Sequence, residues 1–158
     1  MFRDLLRKKQ KLSQEECIAL LKSEKRGVLS LNGDDGFPYG IPMNHFYNEA
    51  DGCIYFHCGK HGHKTDAIRS SDKASFCVFN SGLKSDNNWF LTVHSVVVFG
   101  TIEISDDPVL IKEITRKLSL KFTSDEEYIN HEIEAYAKNT LLLKMTPLNI
   151  CGKTVNES

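Results

Sequence analysis

Ten residues, Tyr55 to Lys64, read YFHCGKHGHK and concentrate the chain's reactive side chains. His57, Cys58, His61 and His63 fall within seven residues, Gly59 and Gly62 interrupt them, and Lys64 follows. Imidazole and thiolate are the groups zinc prefers. Adjacent strand residues point to opposite faces, however, so only one of His57 and Cys58 can join a shared site. Structural zinc sites also pair two separated ligand clusters, and no second cluster follows. No metal is expected here. The other chemistry is anion binding. Two glycines let backbone N–H groups turn toward an anion, and His63 and Lys64 add basic heads. A helix beginning near Thr65 would add its positive end. Strand, glycine loop, basic pair and helix together suit a phosphorylated cofactor. The plainer alternative is a surface loop that happens to hold histidines.

The elements that must position this loop follow from pattern. LSQEECIALLKSEKRG reads as a helix with Ser13 as N-cap and Glu16 completing a capping box, stopped by Gly27. Residues 28–58 read as three strands joined by the turns NGDDG and NEADG. Pro38 and Pro42 place the middle strand at an edge, at a bulge or beside a ligand. GHKTDAIRSSD is a short helical turn and KASFCVFNSG a fourth strand. WFLTVHSVVVFGTIEIS is one or two more strands. DDPVLIKEITRKLSLKF and SDEEYINHEIEAYAKN are helices with acidic starts, and TLLLKMTPLNICGKTV closes with a strand. Strands first and last with helices between imply an α+β barrel.

Composition narrows the class. The 158 residues fit one domain, residues 1–158, with no repeat or linker. Twenty basic against twenty-one acidic residues leave a net charge of −1, without the basic excess of a nucleic-acid binder. No apolar run is long enough to span a membrane. The charged start MFRDLLRKKQKLSQEE lacks a secretory core, so a cytoplasmic location is expected. The five scattered cysteines include no C-x-x-C pair and read as reduced thiols, most of them small core residues.

Three stretches in order, PYGIPMNHFY, IYFHCGKHGHKTDAI and HSVVVFGTIEI, resemble the flavin-binding split barrels. That family includes pyridoxamine 5'-phosphate oxidase, and the nitroimidazole-resistance reductase-like branch is the nearer likeness. The resemblance runs from about Leu12 to Met145. It implies a mostly antiparallel FMN-binding split β-barrel with flanking helices. It also implies a homodimer with the cofactor at the subunit interface. Pro42, Met43 and Asn44 match the strand that lines the isoalloxazine ring. His57 and Cys58 match the pair that touches flavin and ribityl or phosphate, and His63 and Lys64 the basic pair that holds the phosphate. Ser95 and Val96 match the segment that reaches the flavin from the partner subunit, and Trp89 stands where it can cover the ring.

The implied activity is an FMN-dependent oxidoreductase that reduces a small acceptor such as a nitroimidazole. Its near-neutral reference pKa makes His57 the candidate acid. Two departures from the family matter: His63 replaces the more usual arginine, and His94 stands where the oxidase has one. The tail PLNICGKTVNES lacks the oxidase's Trp and Arg pair, so oxidation of pyridoxamine phosphate itself is not expected. The alternative is a non-catalytic flavin or haem storage module, with Met43, His45, His57 or His61 as haem ligands. FAD or a deazaflavin in place of FMN also stays open.

Overall fold

The computed structural model describes residues 2–157. Ser13 opens helix α1 (Gln14–Ser23) as its spacing to Glu16 predicts. The Glu16 N–H donates to Ser13 Oγ at 3.2 Å, and the Ser13 N–H donates to Glu16 Oε2 at 2.7 Å. The helix ends at Ser23 because Glu24 turns extended, not because of a glycine stop. Gly27 lies instead inside strand β1 (Arg26–Asn32). A side chain there would run into the Cys77 carbonyl and the Phe76 ring.

The stretch expected as three strands forms four: β1, β2 (Pro38–Asn44), β3 (Phe46–Asn48) and β4 (Cys53–Gly59). His45 alone separates β2 from β3. Helix α2 (His63–Ser70) follows, beginning at His63 rather than near Thr65. Then come β5 (Lys73–Phe79) and a single long β6 (Leu91–Ser105). Helices α3 (Pro108–Ser119) and α4 (Glu126–Tyr136) precede β7 (Thr140–Glu157).

The seven strands form one antiparallel sheet in the order β2-β1-β5-β6-β7-β4-β3. The two edges, β2 and β3, are consecutive in the chain. The sheet must therefore curl until its edges meet, which gives a barrel closed through one broken strand. Pro38 and Pro42 sit on edge strand β2, where a missing N–H interrupts no ladder. Strands β6 and β7 pair along their length, with a bulge where the register passes from Phe99–Asn149 to Gly100–Pro147. Gly100 is required there, since a Cβ would lie 2.3 Å from the Thr146 carbonyl oxygen.

Leu29, Ile54, Phe56, Phe76, Val98 and Leu143 fill the barrel interior without solvent exposure. A second, smaller core lies outside it, where Tyr55 of β4 and Leu142 of β7 pack on Ile111 and Ile114 of α3. Both β4 and β7 are thus covered on two faces. Helix α4 folds back beside α3, tied by Arg116, which bonds Asn130 Oδ1 at 2.6 Å and pairs with Glu126. All five cysteines are free thiols, and Cys17, Cys53 and Cys58 are buried. Among the described residues no helix is long and apolar enough to cross a membrane.

The strand break has its own chemistry. His45 is wholly buried and its Nε2 lies 2.7 Å from the Leu21 carbonyl oxygen. A carbonyl only accepts, so Nε2 carries the proton and Nδ1 is bare; that buried nitrogen has no partner among the described residues. Burial first, then the charge of Lys121, lowers the pKa of His45 to about 4. Lys121 donates to the carbonyls of Glu24 at 2.6 Å and His45 at 2.8 Å. Burial pulls its pKa down to about 8, so it remains an ammonium at neutral pH.

Candidate cofactor site

Helix α2 starts differently from its neighbours. Ser13, Asp107 and Asp125 cap α1, α3 and α4 with a side-chain oxygen. The residue before α2 is Gly62, at φ 133°, a conformation that favours glycine. It brings no side chain, so nothing of the chain caps the first-turn N–H groups of α2 among the described residues. Those groups and the helix dipole favour an anion. The buried Thr65 steadies the turn, its hydroxyl donating to the Gly62 carbonyl at 2.8 Å.

Two basic heads flank this end. His63 stacks on Tyr39, ring centres 4.0 Å apart at 15°, with its Nε2 3.5 Å from Asp34 Oδ2. Lys64 is half-buried and its Nζ rests 3.3 Å from Met43 Sδ. A thioether is a weak acceptor, and Lys64 pairs with no carboxylate among the described residues. One basic group is therefore committed and the other is not. Edge strand β2 supplies the rest: Met43 points inward to Lys64, while Pro42 and Asn44 are exposed on the other face.

His57 and Cys58 diverge as strand neighbours should. Cys58 enters the barrel core, where burial pushes its thiol pKa up although Lys64 and Arg69 pull the other way. It is an inert thiol. His57 points outward beneath α3 and α4. Its ring keeps an exposed edge, but the surrounding protein, and secondarily the charge of Lys64, lowers its pKa below 6.5. It is the floor of a cavity of about 350 Å³ whose walls include Phe122, Tyr128, Tyr136, Thr115 and Glu132. The α4 stretch reads in the sequence simply as a helix with an acidic start, a reading that gives no sign of this cavity. Tyr128 and Tyr136, two aromatics one helix length apart in an acidic segment, were the available signal.

Trp89 stands in the loop between β5 and β6, 77% exposed. Ser95 faces a separate groove with Arg3, Asn149 and Lys153, and Val96, its neighbour on β6, is sealed in the core. His61 is exposed in the glycine loop, and the His94 N–H donates to Asn80 Oδ1. One haem reading needs correction. His45 lies inside the core with Nε2 engaged by Leu21, so no haem iron reaches it in this fold. No three of the described His, Cys, Asp and Glu side chains converge as a metal site requires.

No curated protein sequence matches this chain. Solved structures share its fold. A candidate 5-nitroimidazole antibiotic resistance protein from Bacteroides thetaiotaomicron superposes with a TM-score of 0.78 at 15% identity, covering 93% of this chain and 87% of the other. An FAD-binding protein from Mesorhizobium loti gives 0.66 at 20% identity, over 92% and 97%. An F420 reductase gives 0.57 at 18% identity, over 84% and 93%. The barrel closed through a broken strand is thus the split barrel of these proteins. From residue 13 to residue 154 the sequence also matches the pyridoxamine 5'-phosphate oxidase family, and to that family the chain belongs.

Proposed function

We propose that this chain is an FMN-dependent oxidoreductase, working as a homodimer with the cofactor between subunits and reducing a small acceptor of the nitroaromatic kind. One observation carries the reading: the first turn of α2, uncapped among the described residues, includes Lys64, an ammonium whose only partner among them is a thioether. A phosphate monoester would give both the acceptor oxygens they lack. The residues present therefore fit a flavin phosphate. FMN, when bound, supplies the two-electron chemistry, and the protein supplies binding, orientation and electrostatics.

The chain's own residues have distinct parts. Lys64 and the first turn of α2 hold the phosphate. Tyr39 and Asp34 hold the His63 ring at the start of α2, the position for which the family resemblance implies an arginine. His57, whose pKa burial and then the charge of Lys64 lower, acts as a positioned hydrogen-bonding group. The exposed Trp89 and the groove at Ser95 are surfaces suited to meet the second subunit. Relatives that bind FAD or act on F420 support a flavin-type cofactor, and a titration decides among them.

The test is the visible spectrum of the purified protein, titrated with FMN and FAD. Uptake of FMN, weakened in Lys64→Ala, supports the site, as does a dimer by light scattering. Oxidation of the chemically reduced protein by nitroaromatic acceptors supports the activity. A protein that takes up no flavin, or a Lys64→Ala variant that binds FMN as tightly as the parent, overturns it.

A further inference from the structure

We propose that the cavity between α3, α4 and the outer face of β4 is the acceptor pocket, selective for an uncharged, flat aromatic molecule that carries a conjugated hydrogen-bond acceptor. As an acceptor pocket it rests on the oxidoreductase reading; as a binding site it does not.

Size comes first. About 350 Å³ lies at the lower end of ordinary ligand pockets and suits one or two rings. Shape and chemistry come next. Phe122, Tyr128 and Tyr136 line the cavity and remain 42%, 55% and 60% exposed, a cost in apolar surface that a stacked ring would relieve. A polar anchor exists at two points. His57 forms the floor from β4. Thr115, on α3, lines the same cavity, and its hydroxyl is covered yet has no hydrogen-bond partner among the described residues. Threonine in a helix occupies two χ1 wells, so the hydroxyl can swing onto an acceptor in the cavity. Leaving it unbonded is unfavourable, and a carbonyl or nitro oxygen would end that.

Charge decides the class. Among the described residues no Lys or Arg lines the cavity, and the one acidic side chain that does is Glu132. An anionic ring would meet the Glu132 carboxylate within the cavity itself, whereas Lys64, whose charge bears on His57 only secondarily, stands outside the lining. The phosphate site at α2 has the opposite character, with Lys64 and open N–H groups. The two sites therefore sort two kinds of ligand, a phosphorylated cofactor at α2 and a neutral ring under α4, with β4 running between them.

Acetophenone and benzoate, nearly equal in size and differing by one charge, test this by calorimetry on the full chain, with amide NMR shifts to locate the site. Acetophenone should bind, shifting the amides of His57 and Thr115, and benzoate should bind at least about tenfold more weakly, as a like charge close by in a partly dry site requires. Thr115→Val keeps the shape and should weaken acetophenone about fivefold, the worth of one hydrogen bond. Ser119→Phe, which fills the cavity from α3, should abolish acetophenone binding while FMN uptake stays as in the parent. Equal binding of benzoate, or unchanged acetophenone binding in both variants, overturns the proposal. The FMN titration is scored separately. A chain that binds acetophenone as described but takes up no flavin keeps the pocket and loses the oxidoreductase, whereas one that takes up FMN but not acetophenone loses only the pocket.

Discussion

Two lysines meet the same stretch of chain two residues apart, and they have opposite uses. Lys121 reaches His45 at the strand break and donates to two backbone carbonyls, those of His45 and Glu24. Lys64 reaches Met43 on β2 and finds a thioether. Both are partly buried and neither has a carboxylate partner among the described residues. Burial alone therefore does not separate a structural lysine from one available to a ligand. The separating property is what remains for the ammonium to bond. Lys121 is spent on joining α1, the break and the end of α3. Lys64 has donors left over, on a side chain that belongs to the first turn of α2.

The largest expected effect breaks the structural half of the comparison. Lys121→Met keeps the aliphatic stem but orphans two carbonyls. It should lower stability by about 3 to 6 kcal/mol, since two hydrogen bonds from a charged group are lost at about 1.5–3 kcal/mol each. Urea unfolding measures it, and a loss near zero would mean the break is held by packing alone. The second effect is acid sensitivity at the same place. Folded His45 accepts its proton only near pH 4, whereas the unfolded chain does so near 6.5. Between these values the unfolded state binds more protons, so stability falls on acidification through that window, by up to about 3 kcal/mol. His45→Gln keeps a donor for the Leu21 carbonyl and should flatten that limb relative to the parent.

The third prediction concerns the other lysine. Lys64→Met should leave cofactor-free stability within about 0.5 kcal/mol, as for a side chain without strong partners. Its FMN affinity should fall about tenfold to a hundredfold, the worth of one charged hydrogen bond. Should unfolding and affinity suffer together, the two lysines would not differ as argued. The smallest effect contrasts helix ends. Ser13→Ala should cost about 1 kcal/mol by breaking the capping box of α1 and leave FMN binding unchanged. Among the described residues no corresponding side-chain cap exists at α2 to remove.

Much of this was readable from residue order. Ser13 with Glu16, Asp107 with Pro108, and the prolines of β2 are local signals, and each marks the element it should. The glycine loop before α2 was equally local, which is why a helix was expected after it, though it begins at His63 and not near Thr65. Other features depend on distant partners. Gly27 looked like a helix stop because the Phe76 ring that requires it lies 49 positions away in sequence. His45 looked like one residue of a continuous strand, because the break exists only where the curled sheet closes. Lys121 carried no signal at all, since its partners are main-chain carbonyls 76 and 97 residues distant. The cavity over His57 needs α3 and α4 placed together, and neither helix shows it alone.

Strand β7 lies in the middle of the sheet, between β6 and β4, yet it is the last of the seven to be synthesised. During translation the earlier strands therefore emerge as two incomplete pieces. β2, β1, β5 and β6 can pair in sequence, while β3 and β4 have no neighbour to dock on until residues 140–157 leave the ribosome. A two-stranded hairpin is marginal by itself. At about 5–20 residues per second, synthesis leaves the edges of β6 and β4 unpaired for seconds, which is when unpaired strands are captured by other chains. The chain thus acquires both its barrel and the floor of its cavity in one late event, and a nascent chain stalled before β7 has neither.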